Sequence, residues 1–227
     1  MATATKMDTN SKQALAKACK VTTGVGTISY AYIWQPRPEE DGKPAKYSTS
    51  FLIPKSDIKT LKNIQNAINA AAQLGQTEKW NGKIPAPRKH PLRDGDAEAD
   101  EKGEEYRAHY FLNASSTRRP RIVDTQLQDI IDEDEVYSGC KCRISLNFYP
   151  FASNGNKGVA CGLNHVQKVS DGEPLGGARS KAEDDFADMD DLDLPFDEPT
   201  APASVQKPAA PSQSGVDILN NIGFTAA

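Results

Sequence analysis

The stretch CKCRISLNFY, residues 140–149, alternates apolar and polar residues along its whole length. The apolar side chains occupy every second position: Cys140, Cys142, Ile144, Leu146 and Phe148. A period of two indicates a β-strand with one face in a core. Lys141, Arg143 and Tyr149 share the opposite face, which we expect to be solvent-exposed. The two cysteines are interpreted as small core residues.

Further strand-like stretches lie on both sides of this one. VTTGVGTISYAYIW (21–34) and residues 46–53 are rich in β-branched and aromatic residues. Between them, PRPEEDGKP (36–44) is a turn by composition, because its prolines and Asp-Gly step interrupt a ladder. The sequence therefore predicts a long hairpin. Further strands are expected at residues 106–114, 121–123, 136–149 and 158–169.

One segment changes to a helical period. Ile58, Leu61, Ile64 and Ile68 recur at three- and four-residue spacing, which predicts an amphipathic helix over residues 57–74. Ser56 is the expected cap and Gly75 the expected end of this helix. Four or five strands with one helix after the second strand favour a mainly β fold, an OB-like five-stranded barrel, over a sandwich.

The charge distribution divides the chain into two parts. Residues 1–180 carry 25 Lys and Arg against 21 Asp and Glu, whereas residues 181–227 carry 2 against 10. We expect an N-terminal lead over residues 1–20 and a barrel domain over residues 21–178. Residues 179–227 are expected to form a disordered acidic and Pro/Ala-rich tail, because they lack a periodic apolar face.

The same sequence bears on the compartment. No apolar stretch approaches the roughly 18 residues of a membrane-spanning helix, and the N-terminus lacks the apolar core of a secretory signal. Four cysteines in a chain of this length do not suggest a disulfide framework. We therefore expect a protein of a reducing compartment, the cytoplasm or the nucleoid, and not of a membrane.

The barrel region interleaves aromatic and basic residues. Cations can follow the phosphates of a single strand, while flat rings stack on its bases irrespective of their identity. The candidate DNA contacts are Tyr30, Tyr32, Trp34, Trp80, Arg88, Lys89, Arg93, Arg118, Arg119, Arg121, Lys141, Arg143 and Tyr149. For the rings on strands the alternative is a place in the barrel core.

The acidic tail is a second candidate site. Nine of the sixteen positions 183–198 are Asp or Glu and none is basic. Negative charges with interspersed rings imitate a nucleic acid strand, so the tail is expected to compete with DNA for the cleft and to recruit replication or recombination proteins. A merely solubilising tail is the alternative. The candidate partner-binding residues are Asp184, Asp185, Phe186, Asp190, Asp191, Leu192 and Phe196.

Motifs for catalysis and metal binding are weak. The sequence contains no GxxxxGK[ST], GxSxG or HExxH motif. One zinc set is conceivable: Cys140, Cys142, Cys161 and His165. Its Cys-x-Cys pair on one strand spaces the ligands poorly for a tetrahedral site. The acidic loop 94–105 has Ala99 where a calcium loop requires glycine. We expect no enzyme activity, no cofactor and no metal.

Five segments follow one another along the chain: KHPLRDGD (89–96), HYFLNASS (109–116), RPRIVD (119–124), DEVYSGCKCRISLNFYPF (134–151) and GNKGVACGLNHVQKVSDGEPLGG (155–177). Together they resemble a bacteriophage family of OB-fold single-stranded DNA-binding proteins. The resemblance covers about residues 20–180. It implies an OB fold, a role in phage replication or recombination, and an acidic tail for partner contact. It also implies that the compartment is the cytoplasm of a bacterial host cell. It assigns DNA contact to Lys89, Arg93, Arg118, Arg119, Arg121, Lys141, Arg143 and Tyr149.

The predicted function is sequence-independent binding of single-stranded DNA. Two alternatives stay open. A strand-annealing recombination mediator would use the same surface and add ordered oligomers, while a metal-dependent nuclease would use the carboxylates of residues 94–105. The expected partners are single-stranded DNA and replication or recombination proteins, and a homodimer is an open alternative.

Overall fold

The computed structural model describes residues 8–38, 44–86, 88–153 and 155–176, all within the first of two compact units of the chain. The strands of the described part are β1 Lys20–Thr22, β2 Gly26–Arg37, β3 Lys46–Pro54, β4 Leu92–Asp94, β5 His109–Ser116, β6 Arg121–Val123, β7 Lys141–Ser153 and β8 Asn156–Ser170. Its helices are α1 Thr9–Ala18, α2 Ile58–Glu78 and α3 Ala99–Lys102, with 3-10 turns at Glu104–Tyr106 and Glu133–Glu135.

Five of these strands close a barrel. β2 pairs with β3 and β3 with β5, and the long hairpin of β7 and β8 returns to β2 at its other edge. β5 meets β8 in parallel orientation, where Ser115 lies opposite Gly162. A five-stranded barrel in which the third and fifth strands are parallel neighbours is the OB arrangement, so the predicted fold is confirmed.

The segment before β5 completes the barrel wall. β4 pairs with β5 on one side, and Lys89 bridges Gly158 of β8 on the other. The Lys89 N–H donates to the Lys157 carbonyl at 3.1 Å, and the Val159 N–H donates to the Lys89 carbonyl at 3.2 Å. A Cβ at position 158 would lie 2.5 Å from the Lys89 carbonyl oxygen, so this close approach requires glycine. The segment between α2 and β5 therefore contributes to the sheet.

The alternation in residues 140–149 predicts a strand with one buried face, and the structure has this arrangement. Cys142, Ile144, Leu146 and Phe148 are all buried, and Lys141 and Arg143 are exposed. α2 packs against β7 with a face that includes the buried Ile64 and Ile68. Burial raises the pKa of the Cys142 thiol to about 12, because its thiolate would lose hydration. The thiol is thus an unreactive core group.

The helix is confirmed, with corrected ends. The side chain of Asp57, not that of Ser56, caps it by accepting the Thr60 N–H at 3.0 Å. The helix also continues through Gly75 to Glu78, because Gly75 serves packing and not termination. A Cβ at position 75 would lie 2.8 Å from the ring of Trp80. The glycine therefore admits the indole against the helix.

Two predicted strands begin later than the sequence suggests. Residues 106–108 precede β5 and residues 136–140 precede β7. In both places an apolar residue extended the pattern, Tyr106 before β5 and Val136 before β7, and both are buried although they lie outside the strands. No helix in the described part of the chain is long and apolar enough to cross a membrane.

Candidate nucleic-acid interface

A strip of small polar residues crosses the outward face of β2, β3 and β5. Ser29 lies opposite Ser50, and Ser50 lies opposite Asn113. In the next row Ser48 lies opposite Ser115. The Ser50 hydroxyl donates to Asn113 Oδ1 at 2.5 Å, which orders the centre of the strip. Because these side chains are short, the strip forms a low floor.

Two tyrosines of β2, Tyr30 and Tyr32, lie next to this floor. Between Ser29 and Tyr32, β2 contains one residue more than β3 does between Ser48 and Ser50, which is a β-bulge. Tyr30 in this bulge has a φ of 48°. The side chains of Tyr30 and Tyr32 are 55% and 39% exposed, so both rings are accessible. The bulge thereby places two neighbouring rings on the same open surface.

Floor and rings enclose a pocket of about 380 Å³. The lining residues are Tyr30, Tyr32, Arg37, Ser48, Thr49, Ser50, Lys102, Tyr106 and Asn113. The volume lies within the range of ordinary small-ligand sites. Its lining combines aromatic rings, hydroxyl groups and cations, which are the groups that hold an unpaired nucleotide.

The adjoining part of the same face is covered. Leu52 and Phe111 have the outward parity of Ser50 and Asn113, yet they form a small second core with Ala99 and Tyr106. The Tyr106 and Phe111 rings meet edge to face, with centroids 5.0 Å apart. The segment 95–108 therefore covers one end of the sheet face and ends the open floor there.

Ion pairs fasten this covering segment. Lys55 Nζ lies 2.6 Å from carboxylate oxygens of both Asp94 and Asp96. Asp96 also accepts the Ala108 N–H at 2.6 Å. The hydrogen bond from Lys55 and that from Ala108 lower the pKa of Asp96, and the two carboxylates raise the pKa of Lys55. The segment is pinned at its start and at its end.

The opposite end of the floor is cationic. Arg37 lies opposite Lys46 at the ends of β2 and β3, and Arg118 and Arg119 follow Thr117 just beyond the end of β5. All four are exposed. Within the described residues, no carboxylate lies at ion-pair distance from Arg118 or Arg119. The open floor therefore runs from an apolar cover towards a positively charged rim.

Both predicted tryptophans are core residues, which corrects the sequence interpretation. Trp34 is 8% and Trp80 is 3% exposed. The Trp34 Nε1–H donates to the Val136 carbonyl, and the Arg119 guanidinium lies 5.4 Å from the ring centroid. The Trp80 Nε1–H donates to the Phe151 carbonyl at 3.0 Å. Neither indole face is accessible for stacking.

Two of the predicted cations already have carboxylate partners. Arg93 Nε donates to Glu98 at 2.7 Å, and the Arg93 guanidinium lies over the Phe111 ring. Arg121 Nε donates to Asp129 at 2.5 Å, a hydrogen bond that raises the pKa of Arg121. Arg93 and Arg121 therefore have less charge to offer a phosphate than Arg118 and Arg119 have.

The remaining predicted contacts lie on the β7–β8 side. Lys141 Nζ donates to Thr27 Oγ1 at 2.8 Å, and Arg143 donates to Gln167 at 3.5 Å. The Tyr149 ring is 41% exposed and lies next to Gly162, the β8 residue opposite Ser115. Tyr149 thus adjoins the floor across β8. The other two members of this group are the exposed Arg88 and Lys89.

Sequence reasoning missed most of the floor. Ser48, Ser50 and Asn113 attract no attention singly, because residues 46–53 (KYSTSFLI) and 109–116 (HYFLNASS) lack a regular polar–apolar alternation that would mark an outward face. Arg37 and Lys102 were also missed. The predicted tail residues, Asp184 to Phe196, lie outside the described part of the chain. Within that part, no three His, Cys, Asp or Glu side chains are grouped to hold a metal ion.

Comparison with known proteins gives a consistent picture. Residues 19–194 match the family model described as the ssDNA-binding protein of Enterobacter phage Enc34. A putative protein p50 of Acyrthosiphon pisum secondary endosymbiont phage 1 is 28% identical over 172 residues, which cover 71% of this chain and 89% of that protein.

Two solved structures support the fold. The Enc34 single-stranded DNA-binding protein in complex with ssDNA has a TM-score of 0.61 at 23% identity, covering 70% of this chain and 91% of that one. Gp2.5, a single-stranded DNA-binding protein of bacteriophage T7, has a TM-score of 0.51 at 18% identity, covering 82% and 98%. The family model and both structures are described as single-stranded DNA-binding proteins.

Proposed function

Because the chain belongs to the Enterobacter phage Enc34 ssDNA-binding protein family, we propose that it binds single-stranded DNA on the open floor of β2, β3 and β5. The observation that carries the proposal is the pocket in which Tyr30 and Tyr32 stand over Ser48, Ser50 and Asn113. This is the face that OB folds use for oligonucleotides.

Aromatic rings and cationic side chains have different roles in binding. Bases stack on Tyr30 and Tyr32, each stacked base contributing roughly 1–3 kcal/mol. Phosphates pass along the cationic rim, where Arg118 and Arg119 have no carboxylate partner among the described residues. Tyr149, Lys141, Arg143, Arg88 and Lys89 form a second set of contacts for a longer strand on the β7–β8 side.

Binding is largely independent of sequence. Stacking accepts every base, because every base has a π-face, and phosphate contacts carry no sequence information. A protein of this kind coats single strands transiently and protects them from nucleases. Its place is the cytoplasm of the bacterial host, during phage DNA replication or recombination.

A fluorescence-anisotropy titration with labelled oligo-dT tests the proposal. The affinity should fall steeply between low and moderate salt, because each neutralised phosphate releases counterions. Unlabelled duplex of equal length serves as competitor and should displace the oligonucleotide poorly. An affinity that is independent of salt, or a preference for duplex, contradicts the proposal.

The acidic tail regulates this site in the proposed function. Residues 181–227 carry 10 acidic against 2 basic residues, which suits a segment that competes with phosphates and binds cationic replication or recombination proteins. A chain truncated after Gly177 should bind oligo-dT more tightly than the full chain at low salt. Unchanged or weaker binding of the truncated chain rules out competition by the tail.

A further inference from the structure

Tyr30 occupies a backbone conformation that a bulky residue rarely adopts. Its φ of 48° lies in the left-handed region, where the Cβ of an L-residue is crowded by the backbone. Such a conformation persists only when the surrounding structure imposes it. Since Tyr30 as a residue is 55% exposed, packing of its side chain does not impose this conformation.

The imposing contact lies on the neighbouring residue. The bulge removes Ala31 from the ladder between β2 and β3, whose register passes from Ser29 directly to Tyr32. The Ala31 N–H instead donates to the Ser138 hydroxyl oxygen at 3.0 Å. An amide that had lost its ladder partner thus has a side-chain acceptor that is distant in sequence.

Ser138 is itself fixed from two sides. The Gly139 N–H donates to the Ile28 carbonyl at 2.8 Å, which lays this loop against β2. On the other side the Leu175 N–H donates to the Ser138 carbonyl, also at 2.8 Å. Gly139 has a φ of 118°, and a Cβ there would lie 2.0 Å from the Glu173 carbonyl oxygen. The loop therefore cannot shift easily.

We propose that Ser138 is a positioning residue that holds the β2 bulge and so aims Tyr30 at the DNA. The inference rests on the proposed function and extends it to a residue that lines no part of the pocket. Ser138 touches no base in this account. It fixes the Tyr30 backbone in the absence of DNA, so that no conformational entropy is lost in ordering Tyr30 when DNA binds.

The structural half of the inference is tested by amide hydrogen exchange. The Ala31 amide should be protected in the full chain and should exchange faster in Ser138→Ala, with the amides of β7 unchanged. Ser138→Thr keeps the hydroxyl and should retain the protection. Equal protection of Ala31 in wild type and Ser138→Ala overturns the inference.

The functional half is tested by oligo-dT anisotropy on four proteins: wild type, Tyr30→Ala, Ser138→Ala and the double variant. Ser138→Ala should lose roughly three- to tenfold in affinity, the range that one hydrogen bond supports. In the Tyr30→Ala background the same change should cost nothing further, because there is no ring left to aim. Ser138→Thr should restore wild-type affinity.

A matched control is Thr77→Ala in α2, which also removes a hydroxyl-to-backbone hydrogen bond. It should leave the affinity unchanged. If Ser138→Ala does not fold, Ser138→Cys, with a weak acceptor of similar size, replaces it.

The outcomes separate the two proposals. Failure of the wild type to bind oligo-dT overturns the proposed function, and the inference with it. Wild-type binding that is weakened in Tyr30→Ala but not in Ser138→Ala overturns the inference alone. Additive losses in the double variant also overturn it.

Discussion

The outward face of β3 and β5 is one surface with two halves. At one end Ser48, Ser50 and Asn113 form an open floor, while at the other Leu52 and Phe111 lie beneath Tyr106. Strands, parity and register are the same in both halves. The difference is the size and polarity of the side chains and the presence of a cover.

In the proposed function, one half of this sheet face binds DNA and the other half contributes to stability. At the covered end, apolar residues pack against the segment 95–108 and are about as buried as the residues of the main core. The small polar residues Ser48, Ser50 and Asn113 at the open end line the pocket instead. The cover also limits the floor, so the position of the site follows from where the apolar pattern ends.

The largest expected effect comes from breaking the covered half. Tyr106→Ala should lower the free energy of unfolding by about 3 kcal/mol, because a fully buried ring leaves a cavity against Phe111. Urea denaturation measures it. Tyr106→Phe removes only a hydroxyl that lies 3.5 Å from Ser29 Oγ and should cost less than about 1 kcal/mol. Equal losses in both variants would show that the ring does not stabilise the cover.

Substitutions in the open half should change the affinity for DNA and not the free energy of unfolding. Tyr30→Ala should weaken oligo-dT binding by roughly 1–2 kcal/mol through lost stacking, with the urea midpoint nearly unchanged. Anisotropy and denaturation on the same preparation measure both. Tyr110→Ala, a tyrosine outside the pocket whose ring packs under Lys55, is the matched control and should bind normally. A loss of stability in Tyr30→Ala without a loss of affinity would reverse the roles of the two halves.

The cationic rim offers a finer comparison. The Arg118→Ala, Arg119→Ala double variant should reduce the slope of log affinity against log salt by about 1.4, at about 0.7 for each lost phosphate contact. Arg121→Ala should change the slope less, because Asp129 already pairs with that guanidinium. Salt titrations of the wild type, the double variant and Arg121→Ala measure these slopes. Identical slopes would exclude Arg118 and Arg119 from the phosphate path.

The smallest expected effect concerns the ion pairs of Lys55 with Asp94 and Asp96, which hold the covering segment. The hydrogen bond from Lys55 lowers the pKa of Asp96, so its stabilising contribution is complete above the ordinary pKa of Asp and is lost as the pH falls through the lowered value. The Ala108 amide donates to Asp96, and its NMR shift should therefore titrate below about pH 3.9. Asp96→Asn should abolish the transition. A midpoint at or above the ordinary value contradicts the pinned arrangement.

The sequence predicts the barrel well where one periodic signal dominates. The strict alternation in residues 140–149 places the β7 core, and the three- and four-residue spacing after Ser56 places α2. It predicts the open floor poorly. Serines carry little propensity signal, and their importance depends on which strands are neighbours, information that only the register supplies.

Burial of single residues is the other weak point. Parity puts Trp34 on the face of Tyr32, but it does not reveal that the Val136 loop and Arg119 cover the indole. The bulge at Tyr30 is equally invisible, because the Ala31 N–H in it donates to Ser138, 107 residues further along the chain. Contacts this distant in sequence leave no local pattern.

Ultraviolet crosslinking of oligo-dT to the full chain, followed by mass spectrometry of the crosslinked peptides, tests the central claim most directly. We expect crosslinks at Tyr30 and Tyr32, with none at Phe111, which lies beneath the cover. Crosslinks concentrated on the covered half, or absent from β2 while others form elsewhere, would contradict the assignment of the open floor as the DNA site.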